Sequence, residues 1–329
     1  MRHSTKHKLS AALVVVTAVG LLAGCSSGGA TAGAGGDDSG TKTVVYVPGM
    51  TGIAFYETLR KGAEDEAKKQ GINFEYQGAA EFTPAAQTPV VDAVCGKKPD
   101  LLIISPTDPA ALKPAIDRCI AAGIPVITVD TNAADGTKLV SAITSDNEQG
   151  GEAAAEFLGE ALGGSGEVGV VGLDAAATTD QLRQKGFLAK LTADYPDIKV
   201  VANEYAGFDA GQSQTVAKSL KVAHPDLAGL FGIVEPNVEG IAAAVGSDDS
   251  VQVIGYDASP AEVDRLKKGE IDALVVQPAA EEGSMAIQFA KAYFDGDTSK
   301  IEASLLLKNT VVTTKDADSA DSQALFYVQ

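Results

Sequence analysis

The stretch GIPVITVDTNA, residues 123–133, is an apolar run that stops on a carboxylate, Asp130. A second run, VQVIGYDASP at 251–260, stops in the same way on Asp257. In open parallel sheets, the carboxyl ends of the strands are where ligands bind. An ionised carboxylate there is a pure acceptor and can take hydrogen bonds from two hydroxyls at once. Two such acids, one in each half of the chain, suit the capture of a small hydroxylated ligand between two lobes. Helix N-caps and turns also favour Asp, and that role competes with the binding one for either residue taken alone.

The elements that carry these acids follow from periodicity. Short apolar runs recur as TVVYV, LLII, VITV, VGVV, GLFGIV, VQVIGY and ALVV. Between them lie stretches with a period near 3.6, such as Tyr56, Leu59, Ala63 and Ala67, or Ala154, Phe157, Leu158 and Ala161. Strands alternating with helices predict βαβ units and parallel sheets covered on both faces, an α/β class. The halves also resemble each other. KKPDLLIISPTDPAAL (97–112) and AHPDLAGLFGIVEPNVEG (223–240) both run Pro-Asp-Leu, strand, acid-Pro, helix. Duplicated lobes rather than a solenoid fit a spacing this long.

The amino-terminal residues read as a leader. Arg2, Lys6 and Lys8 precede an apolar stretch from Leu9 to Ala23, roughly 15 residues and short for a membrane span. SSGGATAGAGGDDSGT follows Cys25. It has nothing to bury and should act as a tether with a mean reach of roughly 20 Å. Loss of the leader makes the remaining chain three charges more acidic than the −18 of the whole. Nucleic acid is disfavoured as a partner, because its binding needs a basic face. Cys95 and Cys119 fall in helical patterns flanking DLLIISP. Right-handed crossovers put those helices on one face of the sheet, where the cysteines form either a disulfide or two buried thiols.

Leu22-Ala23-Gly24-Cys25 resembles the bacterial lipobox, which implies cleavage before Cys25, acylation of its sulfur and a membrane anchor. Leader, tether and two α/β lobes together resemble the substrate-binding lipoproteins of ABC importers, and in detail their ribose-type sugar-binding branch. The resemblance is carried by GIAFYETLRKGAEDEAKKQG, PDLLIISPTDPAALKPAIDRCIAAGIPVITVD, ITSDNEQGG, GFDAGQSQ, VIGYDASPAEVDRLKKGEIDALVVQ and GSMAIQFA. It implies two doubly wound parallel-sheet lobes joined by three hinge strands. The crossings are expected near Ser145-Asp146, Gln277-Pro278 and Leu307-Lys308. Residues 1–24 would then be leader and 25–42 acylated cysteine and tether. One lobe would take 43–145 with 278–307, the other 146–277 with 308–329. A monomer without cofactor is expected, held on the outer face of the cytoplasmic membrane and partnered by a permease and an ATPase.

The same resemblance assigns Phe55 and Tyr56 to stacking on a sugar ring and Asp130 to its hydroxyls. Arg183, Phe208 and Asp257 would come from the other lobe, with Gln277 at a crossing. Each has a plainer role as well: Phe55 and Tyr56 as core, Arg183 as a surface helix residue, Gln277 as a hinge hydrogen-bonder. Ribose binders have an asparagine where this chain has Ile53, an arginine at Thr131 and an asparagine at Val234. Hydroxyls of ribose left unpaired there would be costly. The expected ligand therefore has an apolar edge, as in a deoxy sugar or methylated furanose, or is a smaller polyol. Asn132 and Glu235 are candidates to restore polar contacts. Asp180, in TTDQ, resembles rhamnose and autoinducer-2 binders, although the latter have a lysine at the position of Gly49.

Rival classes find little support. His224, the one histidine beyond the leader, has no serine elbow near it, and GSGEVG (164–169) precedes a strand instead of following one. DGDTSKIE (295–302) lacks the glycine a calcium loop needs, and no metal site is readable. An enzyme is not expected. A sugar-responsive transcription regulator would need a DNA-binding unit where the leader stands. A sensor lipoprotein reporting to a membrane receptor shares the same site, and neighbouring genes would separate it from an importer component.

Overall fold

The computed structural model describes residues 40–175 and 177–328. Cys25 and the leader lie outside them. The chain opens with β1 (Thr43–Val47), α1 (Ala54–Gln70), β2 (Asn73–Tyr76), α2 (Pro84–Gly96), β3 (Leu101–Ile104), α3 (Pro109–Ala121), β4 (Val126–Val129) and β5 (Ser141–Ser145). It continues with α4 (Asn147–Ala161), β6 (Ser165–Gly172), α5 (Thr178–Asp194), β7 (Asp197–Tyr205), α6 (Ala210–Ala223), β8 (Leu227–Gly232), α7 (Glu235–Val245), β9 (Gln252–Tyr256), α8 (Pro260–Lys268) and β10 (Ala273–Val276). Last come α9 (Ala279–Phe294), β11 (Ser304–Leu307), β12 (Thr310–Thr313) and α10 (Ala320–Leu325).

Two sheets result, ordered β11-β5-β4-β3-β1-β2 and β12-β10-β9-β8-β6-β7. Every pairing in the first is parallel. The second differs at one edge, where β12 runs antiparallel to β10. Only Lys308 and Asn309 separate β11, at the edge of the first sheet, from β12, at the edge of the second. All residues of β3 and β4 are buried, the mark of strands covered on both faces. The stripe Tyr56, Leu59, Ala63, Ala67 is buried on α1. On α4 the reading needs correcting: Ala161, at the frayed end of its helix, is exposed, and Gly151, Ala155 and Gly159 join Ala154 and Leu158 in the buried face.

The chain passes between the sheets after Ser145, between Val276 and Ala279, and between Leu307 and Thr310. α9, although it follows a strand of the second sheet, packs on α1, β4 and β5 of the first; α4 packs on α5, β9 and β10 of the second. Glycines make both helix pairs possible. A Cβ on Gly62 would run into the Ala280 carbonyl and one on Gly283 into that of Leu59; on Gly151 and Gly186 it would meet the carbonyls of Arg183 and Glu148. The close helix contact is thus repeated in each lobe. Cys95 and Cys119 are joined by a disulfide, Cα–Cα 5.4 Å, that ties α2 to α3.

Candidate functional site

Both strand-end acids adopt a left-handed backbone, φ 65° at Asp130 and 82° at Asp257. Asp is one of the few residues that visit this region readily. The conformation stops each strand and turns the carboxylate out of the sheet direction. At Asp130 the turn is pinned from two sides. Its N–H donates to Glu282 Oε2 at 3.1 Å and its carbonyl accepts from the Thr144 hydroxyl at 2.7 Å. At Asp257 the N–H donates to the Val275 carbonyl at 3.0 Å.

The two carboxylates reach one cavity between the lobes, with about 60 Å³ of water-accessible space. Phe55, Tyr56, Thr131, Arg183, Phe208, Val234 and Gln277 line it with them, as do Ile53 and Glu235. Asp130 Oδ2 accepts from the hydroxyls of Tyr56 at 3.0 Å and Thr131 at 3.2 Å. Tyr56 is therefore a hydrogen-bond donor to the acid as well as a wall. Asp257 Oδ1 accepts from Gln277 Nε2 at 2.7 Å and the Tyr327 hydroxyl at 3.1 Å; Oδ2 accepts a longer bond, 3.3 Å, from the Glu235 N–H.

Arg183 is no surface residue; it is 2% exposed. Its guanidinium carbon lies 3.6 Å above the centre of the Tyr256 ring. Nε donates to Asn147 Oδ1 and Nη1 to the Ile233 carbonyl, both at 2.7 Å. Asn147 in turn donates to the Ser145 carbonyl at 3.1 Å. Gln277 bridges two crossings, since its Oε1 accepts from the Ser145 hydroxyl at 2.6 Å.

Burial, more than any other influence, raises the Asp130 carboxyl to about 6; Arg183 and the Tyr56 bond oppose this, and Asp257 adds to it. Glu235 is raised to about 8, by burial first and then by Asp257. Its Oε2 is buried without a hydrogen-bond partner. The cavity is thus rich in acceptors, with aromatic and aliphatic walls. Among the described residues its lining holds no histidine, cysteine, serine or lysine, and no group of side chains is arranged to hold a metal ion.

Two secondary candidates lie elsewhere. Asp180 is wholly buried and its Oδ1 accepts from the Leu173 N–H at 2.8 Å, so it braces the loop after β6 and does not line the cavity. Its neighbour Thr179 does. Asn132 lines an adjoining pocket of about 130 Å³ that shares Asp130 and Thr131 with the first. Sequence reasoning also missed Phe82 and Tyr327. Phe82 stacks on Phe208, with centroids 5.3 Å apart and planes at 13°, so rings from opposite lobes meet at the cavity. The Tyr327 ring meets Phe55 edge-on at 5.8 Å.

Comparison with known proteins gives a consistent picture. Residues 44–298 match the periplasmic binding protein domain. The ribose import binding protein RbsB of Bacillus subtilis is 32% identical over 74% of this chain and 78% of its own. A D-apiose import binding protein of Paraburkholderia graminis is 28% identical over 73% and 77%. Among solved structures, an ABC transporter solute-binding protein of Agrobacterium vitis bound to α-D-tagatopyranose superposes with a TM-score of 0.83 at 34% identity, over 88% of this chain and 100% of the other. A carbohydrate transporter solute-binding protein of Agrobacterium radiobacter, in complex with D-arabinose, gives 0.81 at 28%, over 88% and 100%.

Proposed function

The chain belongs to the periplasmic binding protein domain family, and from that premise we propose that it captures one small sugar in the interlobe cleft and delivers it to an ABC importer. Residues 43–145 with 278–307 are assigned to one lobe and 146–277 with 308–329 to the other. Lipidation at Cys25, in the leader motif LAGC, would hold the monomeric protein on the outer face of the cytoplasmic membrane, beside its permease and ATPase.

The observation that carries the binding reading is the meeting of Asp130 and Asp257, from opposite lobes, on one cavity walled by aromatic rings. Sugar hydroxyls donate to the two carboxylates; Arg183 donates to a ring or hydroxyl oxygen; Phe55 and Phe208 cover the apolar ring faces. Each charge-assisted bond contributes about 1.5–3 kcal/mol net, so a few of them account for micromolar binding, about −8 kcal/mol. Lobe closure would exclude water and present a new outer surface to the transporter.

Ile53 and Val234 give the cavity aliphatic wall where ribose binders carry asparagine, Thr131 stands in place of their arginine, and Leu173 adds to the apolar lining. That favours a sugar with an apolar edge, a deoxy sugar or methylated furanose, over ribose. A ligand needing a lysine at position 49 is disfavoured, because any side chain there would collide with Phe82 and the Tyr56 hydroxyl. A thermal-shift panel of pentoses, deoxyhexoses, polyols and autoinducer-2 tests the proposal. A ligand at 100 times its Kd should add ~2.7 kcal/mol of stability. The largest shift from ribose would overturn the apolar-edge reading; no shift from any sugar would overturn the sugar reading itself.

A further inference from the structure

We infer that Tyr327 is a positioning residue for Asp257 and that residues 326–328 latch the two lobes across the binding cleft. The inference rests on the sugar-binding reading only for its effect on affinity; the latch itself is independent of any ligand.

After β12 the chain keeps to the second lobe. The Thr314 N–H donates to the Asp272 carbonyl at 3.3 Å, and Asp318 pairs with Lys267 of α8 at 2.7 Å. Beyond α10 it returns to the cleft. There the Tyr327 N–H donates to the Ala258 carbonyl at 3.0 Å, one residue from Asp257. The Tyr327 hydroxyl donates to Asp257 Oδ1 at 3.1 Å and accepts from the Gln277 N–H at 3.2 Å. One residue further, the Val328 N–H donates to Thr58 Oγ1 of α1 at 2.9 Å. Two adjacent residues therefore grip the second lobe, a crossing and the first lobe. The Tyr327 ring, 5% exposed, packs edge-on against Phe55, which lines the cavity from the first lobe.

Two consequences follow. The hydroxyl and Gln277 Nε2 both donate to Oδ1, which leaves Oδ2, with its single long bond from the Glu235 N–H, as the atom with capacity for a ligand hydroxyl. Burial first, then Asp257, keeps the phenol well above its ordinary range, so it remains a donor throughout the neutral pH region. Opening the cleft must also break the Val328–Thr58 bond and the Phe55–Tyr327 contact, or else pull Tyr327 away from Asp257. Sugar held by Asp257 and Phe55 opposes both routes. Occupancy and closure are then linked through one side chain.

Tyr327→Phe keeps the ring and removes the hydroxyl. With the best sugar from the panel, its Kd should rise about ten- to hundredfold, the effect of one bond to a charged group. The rise should come from faster release, and the unliganded melting temperature should fall by no more than a few degrees. A tyrosine with only a structural role would lower the melting temperature and leave the release rate alone. Tyr327→Ala also loses the contact with Phe55, and small-angle scattering of the unliganded variant should show a larger radius of gyration than the parent. The inference is overturned if Tyr327→Phe binds within twofold of the parent with an unchanged release rate, or if Tyr327→Ala scatters as the parent does. Should the parent bind no sugar, the functional reading fails, and the scattering of Tyr327→Ala still decides the latch.

Discussion

Each lobe ends its central strand on the same acid in the same left-handed conformation, yet the two acids are held by different means. Asp130 takes its bonds from Tyr56 and Thr131 of its own lobe, and Glu282 on α9 secures its backbone. Asp257 takes its bonds from Gln277, at a crossing, and from Tyr327, on the returning tail. One carboxylate thus takes its bonds within its own lobe, while the other, besides a long bond from the Glu235 N–H, is bonded to a crossing and to the tail. The outer helices differ as well. α2 and α3 are joined by the Cys95–Cys119 disulfide, whereas their counterparts α6 and α7 approach through Gly240, where a Cβ would collide with the Ala210 carbonyl and Ser213. Duplicated architecture has been stabilised twice, by unrelated chemistry.

The disulfide should produce the largest effect. Cys95→Ser or Cys119→Ser reopens a loop with a sequence separation of 24 and should lower the stability measured by denaturant unfolding by about 3.5 kcal/mol. Gly240→Ala, the matching change in the second lobe, should cost about 1–3 kcal/mol through overpacking. None of Cys95, Cys119 and Gly240 lines the cavity, which α7 touches only through its first residue, Glu235, so sugar affinity should stay within twofold in all three variants. Serine variants as stable as the parent would remove the contrast between the lobes' outer faces.

The next effect separates the acids themselves. Asn tolerates the left-handed backbone, so Asp130→Asn and Asp257→Asn should each fold with a melting temperature within a few degrees of the parent. Both should bind sugar about a hundredfold more weakly, about 2.7 kcal/mol. Only Asp257→Asn should also broaden the unliganded scattering profile, because only Asp257 is bonded to the crossing and the tail. A large loss of unliganded stability with affinity retained would make both residues strand-capping acids and end the binding argument.

The contrast also marks what the sequence could and could not disclose. The parallel sheets were legible because β3 is apolar at every position and β4 at all but Thr128, a run that burial on both faces explains. The strands NFEY, DIKVVANEY, SLLL and TVVT were not, since they are the partly exposed edge strands of the two sheets and do not carry a uniformly buried run. Asp130 and Asp257 could be found from strand ends alone; Arg183, Phe208 and Gln277 needed the family resemblance. Asp180 shows how fine the limit is. One residue along a helix turns a side chain by about 100°, enough to put Thr179 in the cavity wall and Asp180 behind it. Phe82 and Tyr327 left no local signal, because the contacts that place them come from distant segments, Tyr327 meeting Asp257 across 70 residues.

The smallest effect is one of pH, and it has opposite signs in the empty and the occupied protein. Asp130 and Asp180 are each raised to about 6 and Glu235 to about 8, burial being the first cause in all three. Unfolded, such groups titrate near 3.9 or 4.3. Below those values the acids are neutral in both states and the fold has its full stability from them; as pH rises through 6 and on toward 8 they ionise in a buried setting and that stability is lost. The unliganded melting temperature should therefore fall between about pH 4 and 8. Binding should go the other way, because hydroxyls donate better to an ionised Asp130. An acid of pKa about 6 is roughly one-tenth ionised at pH 5, so affinity should rise about tenfold from pH 5 to 7.5. Asp130→Asn should remove that rise near pH 6. It should leave part of the stability slope, because Asp180 titrates in the same range without touching the cavity. Calorimetric titrations across pH 5–8 that give a flat affinity for the parent would mean that Asp130 accepts no ligand hydroxyl, and the first lobe would then contribute only walls.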